Sequence, residues 1–153
     1  MNFQNDAQKA TYENIDTWIT EIFGEFVWRD KEDPVFGVNK GSAKAIVGIW
    51  PAPFDDADTV ITVFSHVVRE VETTPDLMHY LLHENAKLVL AGFQINDDGT
   101  IVVKHSILGS TCDKAELKAS IMSVLFTADK YDDQIVSRWG GQTSQQTAEA
   151  ARA

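Results

Sequence analysis

Residues 88–108 hold one turn, Asn96-Asp97-Asp98-Gly99, between two runs whose apolar residues alternate. Val89, Ala91, Phe93 and Ile95 take every second position before the turn. Ile101, Val103 and Ile107 do so after it, with His105 in the same set. Alternation of this kind marks strands with one buried face. A two-residue loop at Asp97-Asp98 would set Ile95 against Thr100 and throw the two apolar rows onto opposite faces. A three-residue loop with Gly99 in the left-handed conformation pairs Ile95 with Ile101 and Phe93 with Val103. Glycine adopts that conformation without steric penalty. A one-residue slip would turn the whole apolar set to water, so the second register is predicted. The other face, Leu88, Leu90, Gln94, Val102, Lys104 and Ser106, is mixed.

The hairpin sits between two helical segments. Leu77, Met78, Leu81, Leu82 and Asn85 predict a helix over 75–87 with one apolar face, and Thr74-Pro75-Asp76 supplies its start. From Asp113 a longer stripe runs through Leu117, Ile121, Val124, Leu125, Ala128, Tyr131 or Asp132, Ile135 and Trp139 to Gly140-Gly141. Asp113 with Glu116 reads as a capping box, and Cys112 with Leu117 as its hydrophobic staple. Such a helix of about 40 Å should lie across the whole sheet.

Near the start of the chain, Ile15, Trp18, Ile19, Ile22 and Phe23 form one stripe at helical period over 7–23, with Gly24 as the stop. Between it and the second helix the period falls to two. Strands are predicted at 26–29, 35–38, 43–50 and 59–69, joined by short turns, which implies an antiparallel meander. The class is therefore α+β: an antiparallel β-sheet of about five strands packed by three helices, in the order α-β-β-β-α-β-β-α, with three or four strands between the first two helices. Residues 1–141 read as a single domain. Residues 142–153 contain no large apolar residue and read as a disordered tail.

Composition removes several function classes. At 153 residues and 44% hydrophobic, the chain can bury a core without disulfides or metal. The one cysteine, Cys112, forms no internal disulfide and fits a reducing cytoplasm. No apolar run approaches the ~20 residues that span a bilayer, and residues 1–6 lack a signal-peptide pattern. A net charge of −10 repels phosphate backbones, so no nucleic-acid partner is expected; the acidity would suit a basic or amphipathic polypeptide partner, and equally a surface that is simply solvated. There is no Gly-x-Ser-x-Gly elbow, dinucleotide fingerprint, phosphate loop or EF-hand loop, so no catalytic residues and no cofactor are assigned.

Two groups of residues remain as candidates. Trp28, Phe36, Trp50 and Phe54 fall in or beside the early strands. A sheet covered by helices on one face leaves a second face, and aromatics there would make a peptide groove or a dimer interface. Ordinary core is the competing use. His79 and His83 share a helix face at i, i+4, with Glu84 adjacent, as a minor alternative that could hold a metal or ligand. Zinc needs at least three converging ligands, so no metal is assigned. His105, in an apolar row, is expected as a hydrogen-bonded core histidine, and Cys112 as a buried thiol.

Leu81-Leu82-His83-Glu84-Asn85-Ala86-Lys87, the Asp98-Gly99 turn, and Ile107-Leu108-Gly109-Ser110-Thr111 leading to 113–117 resemble the YbjN-like family. So does Thr127-Ala128-Asp129-Lys130-Tyr131-Asp132-Asp133 followed by Gly140-Gly141. That family is grouped with type III secretion chaperone-like folds, and the resemblance covers most of 41–141. It implies a small acidic α+β domain, often a homodimer, without catalytic machinery. The implied role is a non-enzymatic, chaperone- or adaptor-like protein- or peptide-binding module, with a regulatory role as a further expectation.

Overall fold

The computed structural model describes residues 1–152. The elements are α1 (Asp6–Phe23), β1 (Val27–Arg29), β2 (Val35–Lys40), β3 (Ala43–Ala52), β4 (Asp55–Arg69) and α2 (Pro75–Asn85). They continue with β5 (Gly92–Ile95), β6 (Ile101–Leu108), α3 (Lys114–Trp139), β7 (Gln142–Thr143) and α4 (Ser144–Arg152). The sheet is antiparallel in the order β1-β2-β3-β4-β6-β5, with β7 added to β4. The α+β class stands. Among the described residues the sheet has seven strands instead of about five, the four strands read between the first two helices are all present, and α4 is a fourth helix.

The hairpin register is the predicted one: Ile95 pairs with Ile101 and Phe93 with Val103, and Gly99 has φ +79°. Its first strand is shorter than the alternation implied. After α2 the chain stays in tight turns, with Lys87 N–H donating to Glu84 O and Leu88 N–H to Asn85 O. It joins β6 only at Gly92. Val89, expected beside Phe93, is 94% exposed. On the outer edge of β5 the Asn85 side chain takes the place of a further strand. Its Oδ1 accepts from Phe93 N–H at 2.6 Å and its Nδ2 donates to Phe93 O at 3.3 Å.

Helices α1 and α3 cover one face of the sheet. Gly24, at φ +54°, ends α1 and donates its N–H to Thr20 O. Asp113 caps α3 by accepting from Glu116 N–H at 2.7 Å. Ile15 and Ile19 meet Leu117, Ile121, Val124, Leu125, Ala128, Tyr131 and Ile135 over the inner side chains of β2, β3, β4 and β6. His105 is half-buried on this side, with Nδ1 2.8 Å from Ser120 Oγ, tying β6 to α3. Cys112 packs in the same core.

Helix α2 corrects one reading. Leu77 and Leu81 are buried, but Met78 and Leu82 are 45% and 73% exposed. Two adjacent i, i+4 pairs make a stripe too wide for the single surface that α2 covers.

The C-terminal segment, read as a disordered tail, is described over residues 142–152 as β7 and α4, while Ala153 lies outside the described residues. β4 outruns β3, whose last pair toward this end is Ile46 with Phe64. The vacant side of β4 takes β7 through Val68–Thr143 and Arg69–Gln142, and Ser144 Oγ donates to His66 O at 2.6 Å. Free backbone groups on β4, rather than apolar burial, therefore place this segment, and α4 itself has no buried residue.

Candidate interaction surface

Alternation along paired strands assigns every side chain to a face. With Ala45, Val47, Ile49, Ile61, Val63, Val103 and Ile107 turned to the helices, the opposite positions line a second, helix-free face. One row crosses six strands: Trp28, Gly37, Ile46, Phe64, Lys104, Gly92. Its neighbours are Val35, Gly48, Thr62 and Ser106, then Trp50, Val60 and Leu108. On the other side lie His66, Val102 and Gln94.

Glycine gives this face its shape. A Cβ on Gly37 would fall 1.9 Å from Trp28 Cε2, and one on Gly48 would fall 2.8 Å from Trp50 Nε1. Each indole therefore lies flat on bare backbone, an arrangement a side chain at either glycine would lift. Lys44 Nζ stands 4.3 Å from the Trp28 ring centroid. The paired outer positions carry no carboxylate, although the chain has 23. Their charged groups are Lys44, Lys104 and the titratable His66.

The four aromatic candidates separate. Trp28 and Trp50 share the helix-free face. Phe54 is 72% exposed in the β3–β4 turn, at the end of the sheet. Phe36 is on the helix side, fully buried, and stacked on Tyr12 with ring centroids 4.6 Å apart. Ile46 and Phe64 join Trp28 through register alone, and no motif in the sequence marked them.

A second apolar surface lies at the α2–β5 edge. Met78, Leu82 and Ile95 are exposed there around a concavity of about 320 Å³ that Leu81 and Phe93 also line, and Val89 and Leu90 are exposed in the connection from α2 to β5. The signal for it was the doubled stripe of α2.

The structure does not bring His79, His83 and Glu84 together. His79 and His83 are exposed, with parallel rings 6.5 Å apart. Glu84 turns the other way and is buried, accepting from Lys87 Nζ at 2.5 Å and from Tyr131 O–H at 2.8 Å. Those two bonds hold its carboxyl below the usual glutamate range. Burial, reinforced by the Glu84 bond, pushes the Tyr131 hydroxyl up to about 12, so it stays a donor. Among the described residues no three His, Cys, Asp or Glu side chains are grouped to hold a metal. Burial, then the charges of Glu116 and Asp113, push the Cys112 thiol up to about 11, which keeps it protonated at neutral pH.

His66 gives the face a pH dependence. Burial, with Arg69 adding to it and Asp98 opposing, lowers its pKa below the ordinary histidine value. The unfolded chain then binds the proton more readily than the folded one. The stability of the neutral form is complete above the unfolded value of about 6.5 and is lost as pH falls below it. Thermal melts between about pH 7.5 and 5.5 should show this decline, and His66→Gln should flatten it. Equal slopes for the two proteins would refute the assignment.

No helix among the described residues is long and apolar enough to cross a membrane. No curated protein matches the chain by sequence. Solved structures match the fold. One chain of the HopA1–SchA chaperone–effector complex aligns with TM-score 0.61 at 8% identity, covering 84% of this chain and 98% of that one. One chain of the ExsC–ExsE complex aligns with TM-score 0.59 at 11% identity, covering 85% and 96%. YbjN from E. coli aligns with TM-score 0.54 at 12% identity, covering 80% and 92%. The sequence profile described as T3SS (YopN, CesT) and YbjN peptide-binding chaperone 1 matches residues 10–147. The chain, with this α+β fold, belongs to that family of type III secretion and YbjN peptide-binding chaperones.

Proposed function

We propose that the protein acts by binding, without catalysing a reaction, and holds part of a client polypeptide on the helix-free face of its sheet. The observation that carries this reading is that face itself: Trp28, Ile46, Trp50 and Phe64 laid out with no helix packed on them and no carboxylate among them. Apolar area of this kind is stable in water only when small or when a partner covers it. The test is a displayed peptide library selected on the purified protein and on a Trp28→Glu/Trp50→Glu variant with an unchanged far-UV spectrum. Selection of peptides by the native protein alone is the expected result. Equal selection by both would overturn the site, and no selection by either would overturn the reading.

The α2–β5 surface supports a homodimer, because Leu82 stands exposed beside Met78 and Ile95 around one concavity. Native mass spectrometry should show a dimer for the native chain and a monomer for Leu82→Glu. A native monomer would remove the proposal. A buried free thiol as the only cysteine suits a reducing compartment such as the cytoplasm.

A further inference from the structure

The helix-free face also specifies its occupant. An extended segment laid on the middle of a sheet leaves its own backbone groups unpaired, whereas a helix satisfies them internally. Strand addition would have to use an edge. The β5 edge is closed at Phe93 by Asn85, and β1 at the other edge is three residues long. A helix packed on a sheet face is the ordinary way to complete a layer.

Charge narrows the choice. The apolar centre, Ile46 beside Phe64, is bracketed by Lys44 along β3 and by Lys104, the cross-strand partner of Phe64. The net charge of −10 would draw basic segments to the molecule as a whole, but the charged groups beside this apolar centre are Lys44 and Lys104. The chain already places one short helix at the border of the face. Across a cavity of about 780 Å³, Glu149 and Ala148 of α4 stand opposite Trp28 and Lys44.

We propose that the face takes an amphipathic helix of the client whose apolar stripe is flanked by Asp and Glu, seated beside α4. This rests on the peptide-binding reading above and adds the chemistry of the ligand. The apolar stripe covers Ile46, Phe64 and Trp28, and the flanking carboxylates meet Lys44 and Lys104. Charges at such a rim act chiefly through partner choice and association rate.

Two synthetic peptides of about 18 residues, long enough to form a helix, test it. They share one Leu/Phe stripe, and one carries Asp and Glu on its flanks where the other carries Lys and Arg. Fluorescence anisotropy is expected to show tighter binding of the acidic peptide, weakening as salt is raised. Lys44→Glu/Lys104→Glu should reverse the preference, lowering affinity for the acidic peptide by roughly tenfold. Lys44 is exposed and Lys104 is half-buried, so unchanged melting of the variant is the check on its fold. Equal binding of both peptides, or an unchanged preference in the variant, would overturn the charge selection while leaving peptide binding in place. Failure of both peptides to bind would overturn the proposal and the reading on which it rests.

Discussion

Phe36→Ala should lower the free energy of unfolding by about 3–5 kcal/mol, as expected for removing a fully buried phenylalanine. Phe36 has no exposed surface and fills the space between β2 and α1. Its ring stacks on Tyr12 at 4.6 Å, and Arg29 lies 5.9 Å from its centroid. Alanine would leave a cavity that the rigid β1-β2-β3 ladder cannot close, and Tyr12 would lose its stacking partner. At about 3 °C per kcal/mol for a chain of this size, the melting temperature should fall by roughly 10 °C. Phe54→Ala is the control. At 72% exposed, it should change stability by no more than about 0.5 kcal/mol. Urea titrations of both variants make the comparison. A stable Phe36→Ala protein that had lost association instead would place Phe36 in an interface and contradict the core described here.

The second large effect is expected at Gly141. Its φ is +88°, and a Cβ there would lie 2.6 Å from Arg69 O, 2.7 Å from Val68 Cγ1 and 3.0 Å from Val71 Cβ. Valine is β-branched and cannot hold this conformation without about 1–3 kcal/mol of strain. The nearest atom is backbone oxygen of β4, which cannot step aside without disturbing the sheet. The attachment it must compete with is small: two residue pairs in β7, one Ser144–His66 bond, and a nine-residue helix with no buried residue. A helix of that length is marginal without packing. Gly141→Val is therefore expected to release β7 and α4 while leaving the core folded. Hydrogen exchange should show loss of protection over 142–152 and retained protection in α3 and β4. Unchanged protection over 142–152 would show that the segment is held by more than the contacts described.

Some of this was legible in the residues and some was not. The α3 stripe from Leu117 to Ile135, its Asp113 cap and the pairing of Ile95 with Ile101 follow from helical period, cap chemistry and the chirality that reserves positive φ for Gly99. These rules act within one element or one turn, so a sequence carries them complete. The alternation of Phe36 against Gly37 was equally readable, but the face that α1 and α3 would cover was not. Nor was the side on which Trp28 would lie. For α2, Leu77, Met78, Leu81 and Leu82 are equally apolar, and only the position of α3 and β5 divides them into buried and exposed pairs.

The C-terminal segment is the clearest case of tertiary control. Gln142–Thr143 and Ser144–Arg152 offer no apolar stripe, and they gain order because β4 extends beyond β3 and leaves backbone groups free. The helix-free face was likewise assembled by register, which set Ile46 and Phe64 beside Trp28 and left the carboxylates elsewhere. The helices α1 to α3, their caps and the hairpin register follow from the residues alone, because period and chirality are local. The tertiary structure decided which apolar residues meet water and which become a surface for a partner, because that depends on which layer covers which, a property of contacts between distant residues.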